Sequence, residues 1–293
     1  MDESALREIA AVLTRLAPLL PPQHQEPDWT AHAFRWRRRH YLGVVMGRLE
    51  AVRHVAAIAP EDLHHVDGQK VALLANTEQF VRGLPANNVL LTGARGTGKS
   101  SLIRSCLNRF ASQGLRLIEV DKHDLMDLPD IVALVAARTE RFVLFCDDLS
   151  FEEGESGYKG LKAVLDGSVA AASDNLLIYA TSNRRHLMPE YMRENLEAKY
   201  QDDGEIHPGE TVEEKISLSE RFGLWLSFYP FRQDDYLDIV GHWLRHYGAT
   251  EPVIEASRAE ALQFALQRGS RSGRVALQFA RDTAGRHGLA GRG

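Results

Sequence analysis

Asn88-Val89-Leu90-Leu91-Thr92-Gly93-Ala94-Arg95-Gly96-Thr97-Gly98-Lys99-Ser100-Ser101 is a short apolar run, a glycine-rich turn and the start of an amphipathic stretch. Positions 93–100 fit the phosphate-loop pattern, in which four residues separate two glycines and Lys-Ser follows. Each residue type has a physical task. Glycine permits positive φ and a close approach of backbone to a phosphate. The N–H groups of the loop then converge on one anion, and the positive end of the next helix adds to them. Lys99 brings a point charge to the β- and γ-phosphates of a nucleotide. The Ser100 hydroxyl can complete the oxygen shell of a Mg²⁺ ion. Gly93, Ala94, Arg95, Gly96, Thr97, Gly98, Lys99, Ser100 and Ser101 are therefore candidate nucleotide-binding residues. The flanks supply the required context: Val89, Leu90 and Leu91 read as a buried strand, and Leu102, Ile103, Leu107 and Phe110 recur at helical spacing.

The chain has 293 residues, enough for one sizeable core and a small satellite domain. Its 44% apolar and 26% charged content is that of an ordinary globular protein, and its net charge of −5 provides no overall field for nucleic acid or an anionic membrane. Cys106 and Cys146 are the only cysteines, and the apolar run around Cys146 predicts a buried thiol rather than a disulfide framework. No segment has the apolar length of a membrane span. Asp2 and Glu3 stand where a secretory signal carries positive charge, and Arg7, Glu8 and Arg15 interrupt the apolar stretch. A cytoplasmic protein is expected.

Leu6, Ile9, Leu13, Leu16 and Leu20 are spaced for one helix face, with Pro18 ending or kinking it. After a linker at 21–28, the stretch 29–59 reads as a second helix carrying Arg35, Arg37, Arg38, Arg39, Arg48 and Arg53 against the single acid Glu50. This is either a nucleic-acid patch helped by Phe34, Trp36 and Tyr41, or a basic face that pairs with acids elsewhere in the fold. Strands are expected at 89–91, 115–121, 141–148, 176–181 and 223–229, with helices at 71–80, 102–110, 131–138 and 158–172. Alternation of this kind implies a five-stranded parallel sheet covered on both faces. Such sheets bind ligands at the carboxyl ends of their strands, and those ends carry Gly93, Asp121, Asp147 with Asp148, and Asn183. From Phe231 the pattern is helical only, which predicts a small helical domain on the far side of the sheet. The division expected is an N-terminal helical extension (1–60), an α/β nucleotide-binding domain (61–230) and a helical lid (231–293). The acidic stretch at 195–220 reads as a solvated loop or a partner contact.

Asp147 ends an apolar strand, so it can face a metal ion from the sheet, and Asp148 can polarise an attacking water. With these residues in place the chain resembles the AAA+ ATPases. The likeness rests on positions 93–100, the Asp147-Asp148 strand end, Thr181-Ser182-Asn183, Ser219-Glu220-Arg221-Phe222 before the fifth strand, and Ser272-Gly273-Arg274 in the helical region. More narrowly it is similar to a bacterial group of AAA+-type ATP-binding proteins of unknown function, through Leu84-Pro85-Ala86-Asn87-Asn88, Asp147-Asp148-Leu149-Ser150-Phe151-Glu152 and Glu214-Lys215-Ile216-Ser217-Leu218-Ser219-Glu220-Arg221-Phe222-Gly223. The resemblance implies Asp148, Asn183 (sensor 1) and Arg221 (an arginine finger reaching a neighbouring subunit) as catalytic residues. It implies Ser100 and Asp147 as Mg²⁺ ligands and Arg274 as sensor 2, with Arg271 the weaker candidate. Leu63 and Val66 fall where such proteins contact adenine. ATP and Mg²⁺ are the implied cofactors, and a homo-oligomer with an unidentified protein or nucleic-acid client is the implied assembly.

Two departures bear on activity. The second acid is Asp148 where AAA+ enzymes usually have glutamate, which bears on the hydrolysis rate, and Glu152 or Glu153 are further acids nearby. The loop at 121–126 has no aromatic residue of the kind threading unfoldases use, and Tyr158-Lys159 is differently placed. The sequence thus supports an ATPase that remodels an oligomer or client. A slowly hydrolysing switch or loader that holds nucleic acid or a protein partner is the alternative. A small-molecule kinase fits less well, because it has no use for the helical C-terminal region or the segment 219–222.

Overall fold

Phe142, Val143, Leu144, Phe145 and Cys146 are all buried. Successive strand residues point to opposite faces, so such a run requires a sheet covered on both sides. The computed structural model, which describes residues 3–16, 26–41, 44–56, 58–150, 157–166, 174–183 and 218–288, has that arrangement. Its seven strands are β1 (Ala33–Tyr41), β2 (Val44–Ala51), β3 (Val89–Gly93), β4 (Leu115–Glu119), β5 (Arg141–Cys146), β6 (Leu176–Ser182) and β7 (Leu224–Phe228), in the order β2-β1-β4-β5-β6-β3-β7. The five expected strands, β3 to β7, run parallel.

On one face Val89, Leu91, Val143, Phe145 and Tyr179 pack with α2 (Asp67–Val81) and α3 (Lys99–Phe110). On the other, Leu90, Leu144, Cys146, Ile178 and Ala180 pack with α4 (Leu128–Val135) and α5 (Gly157–Leu165). The Tyr179 hydroxyl reaches Asn76 Nδ2 at 3.1 Å and Thr77 Oγ1 at 2.9 Å, which ties α2 to the sheet. Both cysteines are buried, and burial pushes each thiol up to about 12. α1 (Glu3–Leu16) forms over the expected amphipathic stretch.

The stretch 29–59 is not the expected helix. It forms an antiparallel hairpin, β1–β2, that adds two strands to the expected five. Strand β1 joins β4 in parallel register, with Phe34 opposite Ile118 and Arg35 opposite Glu119. The governing period is two: Phe34 and Trp36 are 1% and 5% exposed, between exposed Arg35 and Arg37. Arg37, Arg38 and Arg39 in succession hide that alternation from a reading by charge. Trp36 lies against Gly47, where a Cβ would come 1.9 Å from the indole, and its Nε1 donates to Asp127 Oδ2 at 2.8 Å. The arginines mostly find acids in the fold. Arg35 pairs with Glu119 at 2.7 Å, Arg38 with Asp127 at 2.5 Å, and Arg39 and Arg48 both with Glu50. Arg38 holds the Asp127 carboxyl below its usual range. Most arginines of the basic stretch thus have acid partners within the fold, as the second reading expects.

The C-terminal region forms α6 (Gln233–His246), α7 (Glu251–Gln267) and α8 (Gly273–Arg286). It does not lie on the far side of the sheet. Tyr236, Val240, Ala261, Ala276 and Phe279 share the apolar cluster of α2 and α3, and Arg274 N donates to Gly96 O at 3.4 Å. The reason is that α6 and α8 each carry a buried apolar face along their length, and those faces join the cluster on the α2 and α3 side of the sheet.

The hairpin reading has a direct test. Trp36→Ala should cost about 3–5 kcal/mol in urea denaturation, as truncation of a buried aromatic does, whereas Arg37→Ala on the exposed face should stay within about 0.5 kcal/mol. Equal costs would remove the assigned alternation.

Candidate functional site

The carboxyl ends of β3, β5 and β6 bring the motif residues together. β3 ends at Gly93 with φ +121, where a Cβ would lie 1.9 Å from Phe228 O on the neighbouring strand β7. Only glycine can leave the strand there. Gly96, at φ +72, passes so close to the lid that a Cβ would meet Ser272 Oγ at 2.8 Å. α3 then begins at Lys99, its free N–H groups at the loop.

Lys99 is 5% exposed, and its ammonium donates to Gly93 O at 2.8 Å, Ala94 O at 2.7 Å and Asn183 Oδ1 at 3.1 Å. Burial lowers its pKa to about 8, against the pull of Asp148 and Asp147. Ser100 Oγ donates to Asp147 Oδ1 at 2.6 Å. The same carboxylate oxygen accepts from Thr181 Oγ1 at 2.7 Å. Asn183 Nδ2 donates to Asp148 Oδ1 at 2.5 Å. Arg104 stands 3.5 Å from Asp147 Oδ2 and lies over the Phe145 ring at 5.3 Å.

These groups line a cleft of about 610 Å³ between the sheet and the lid. Arg95, Gly96, Thr97, Gly98, Lys99, Ser100, Ser101, Asp147, Asp148, Asn183, Leu63 and Arg274 are in its wall. Gly93 and Ala94 lie behind the loop as acceptors for Lys99. Val66 is 4% exposed, preceding α2, and is not in the wall. Arg271 faces a separate groove between the loop and α7. Arg221 is not brought into the cleft: it pairs with Asp166 just past the end of α5. Glu152, Glu153 and the acidic stretch as far as 217 lie outside the described residues.

Reading by motif misses part of the wall. Asp62 and His64 come from the loop before α2, Arg104 from α3, and Phe231, Ile239, Trp243 and Leu277 from the lid. Ile239 and Trp243 register in sequence only as an apolar helix stripe, which core packing alone explains. Thr181 stands in the quoted Thr181-Ser182-Asn183 run, but nothing local says that its hydroxyl meets Asp147. At this joint between body and lid, His65 sits 3.3 Å from both Asp235 and Asp238. His64 packs on His242 with ring centroids 4.2 Å apart, and burial pushes its pKa down.

The chemistry is that of an anion site. Backbone N–H groups, a buried ammonium and the start of α3 border the cleft, oxygen donors from Ser100 and Asp147 stand beside them, and the apolar side chains of Leu63, Phe231, Ile239 and Trp243 are also in its wall.

Comparison with known proteins identifies the family and the fold. Residues 29–287 match a family described as "Protein of unknown function (DUF815)". No curated protein matches the chain. Among solved structures, two variants of RuvB from Thermotoga maritima superpose with a TM-score of 0.51 at 17% and 15% identity, each over 78% of this chain. A third RuvB variant gives 0.51 at 16% identity, over 78% of this chain and 66% of its own length. The chain spans 64% of the length of the first two. At these identities the likeness shows the fold, a sheet with helices on both faces of the AAA+ P-loop type.

Lys99 generates a pH prediction for the ligand-free protein. The folded lysine releases its proton near pH 8, whereas the unfolded one holds it to the ordinary value of 10.5. Between these values the unfolded state binds more protons, so stability should rise with pH, by at most about 1.4 kcal/mol per unit. Urea melts at pH 7.5 and 9.5, taken as the difference between wild type and Lys99→Met, should show that rise. A difference independent of pH would contradict the lowered value.

Proposed function

Because this chain belongs to the family described as "Protein of unknown function (DUF815)" and has the AAA+ fold, we propose that it is a Mg²⁺-dependent ATPase whose turnover drives rearrangement of an oligomer or a client. The observation that carries the reading is the 2.6 Å hydrogen bond from Ser100 to Asp147, in the cleft that also holds Lys99 and Asn183. A hydroxyl and a carboxylate are the hard oxygen donors that Mg²⁺ takes, and the two converge on one point. When bound there, the ion would neutralise charge on the phosphate oxygens.

The chain's own residues divide the remaining work. The N–H groups of Gly96, Thr97, Gly98 and Lys99 hold the phosphates, and the Lys99 ammonium exchanges its loop carbonyls for phosphate oxygens. Asp148 orients and deprotonates the attacking water, and Asn183 fixes Asp148 while facing the terminal phosphate. Arg274 reads that phosphate from the lid. The base lies at the apolar end between Leu63 and the lid residues Ile239 and Trp243. The hairpin β1–β2 belongs to the same body as the nucleotide domain, since it extends one sheet. Two buried free thiols suit a cytoplasmic protein.

Arg221 acts in this scheme as a finger given to a second copy. Its pairing with Asp166 in the same chain means that the finger must exchange partners on assembly. That pairing, with an aspartate at position 148, favours as a second reading a switch or loader that hydrolyses slowly. Most of the hairpin arginines are paired with acids, so a protein client suits either reading better than a phosphate backbone does.

Among variants, Lys99→Ala should show no ATP heat in calorimetry while its far-UV spectrum is unchanged. Asp147→Asn should weaken Mg²⁺-dependent affinity, and Asp148→Asn should bind ATP and retain it. Equal loss of binding in both would refute the division of roles.

Arg221→Ala should bind ATP and lose about 10³–10⁵ in rate. Mixing it with Lys99→Ala should return part of the activity, because one subunit supplies the finger and the other the nucleotide. No recovery in samples shown to co-assemble would reject a finger acting between copies.

A further inference from the structure

Asp148 is one of two non-glycine residues with positive φ among the described residues, at +53. Most side chains avoid that conformation, and it persists where the surroundings hold it. Here the hydrogen bonds to the backbone of the turn come from one residue of the neighbouring strand. Asp148 N donates to Thr181 Oγ1 at 2.9 Å, and Leu149 N donates to Thr181 O at 2.6 Å. The Thr181 hydroxyl in turn donates to Asp147 Oδ1 at 2.7 Å. Thr181 is 2% exposed, so water does not compete for these bonds. One hydroxyl therefore grips the backbone of Asp148 and the carboxylate of Asp147 at once.

The turn has a consequence for the chain beyond β5. In place of continuing along the strand, Asp148 is bent toward Asn183, which takes its carboxylate at 2.5 Å. It then stands, exposed, in the wall shared by the nucleotide cleft and a second cavity of about 470 Å³. Water can reach it from either side.

We propose that Thr181 is the positioning residue for hydrolysis: its hydroxyl locks the Asp147-Asp148 turn in a left-handed backbone that carries a carboxylate one methylene shorter than glutamate's up to the attacking water. The inference rests on the ATPase reading above. It accounts for an aspartate at this position without invoking a defective site, because the backbone supplies the reach that the side chain lacks. A threonine that merely satisfied the Asp147 carboxylate would affect stability and metal affinity, and would leave turnover on bound ATP alone.

The test compares Thr181→Val, which keeps the shape and loses the hydroxyl, with Thr181→Ser, which keeps the hydroxyl. In steady-state phosphate release Thr181→Val should lower kcat by roughly 10²-fold, the loss expected of a misplaced catalytic group, with KM for ATP changed by less than about threefold. Thr181→Ser should recover most of the rate. Crystal structures of the two variants supply a readout that needs no turnover: Asp148 should keep its positive φ in Thr181→Ser and leave it in Thr181→Val. A KM that rises as much as kcat falls, a rate the serine does not recover, or a Thr181→Val structure with Asp148 still left-handed would overturn the proposal. Should the wild-type protein release no phosphate, the ATPase reading fails, and the backbone of Asp148 in Thr181→Val still decides whether Thr181 holds the turn.

Discussion

One oxygen of the Asp147 carboxylate accepts two hydrogen bonds, from Ser100 at 2.6 Å and Thr181 at 2.7 Å. Three elements distant in sequence meet on it: the first turn of α3, the end of β5 and the end of β6. Hydrogen bonds to an ionised acceptor are stronger than neutral ones, and an unpaired carboxylate beside a sheet end would be costly. The strand order makes the meeting possible. β3 and β5 are not neighbours, since β6 lies between them. The loop leaving β3 and the turn leaving β5 therefore open a crevice whose floor is β6, which is where Thr181 and Asn183 stand. That crevice is the place where ligands bind in sheets of this class.

The lid completes the site through close backbone approach rather than through charge. Gly96 and the start of α8 come together with no room for a side chain, and the apolar faces of α6 and α8 merge with the core under α2 and α3. The phosphate loop and the start of α8 are thus packed directly on each other. Polar contacts across the joint, His65 with Asp235 and Asp238, are partly exposed and contribute little individually. Apolar burial is therefore the main hold on these helices.

Near its edge the sheet shows how charge can mislead. Six arginines in 29–59 against one acid suggest a surface for polyanions. In the fold Glu119 and Asp127 come to them from β4 and the 3₁₀ helix that follows it. Those partners lie 84 and 89 residues away, so no local window contains them. The same run of arginines disguised a strand as a helix face, although Phe34 and Trp36 kept the period of two that burial requires.

What could be read from residues alone was the part encoded at short range. The spacing from Gly93 to Ser100, the apolar runs of β3, β5 and β6, and an acid at the end of β5 are local patterns, and each demands one kind of backbone. Parallel topology followed from strands alternating with helices, and the cleft from the carboxyl ends of those strands. The tertiary structure alone decided the partners. Whether Arg221 has an acid partner within its own chain, whether Val66 lines the cleft or joins the core, and whether Thr181 is idle or grips two aspartates depend on sheet register and on which helix covers which face. Those are set by packing between segments tens of residues apart, a competition among many possible contacts that no single stretch of sequence resolves.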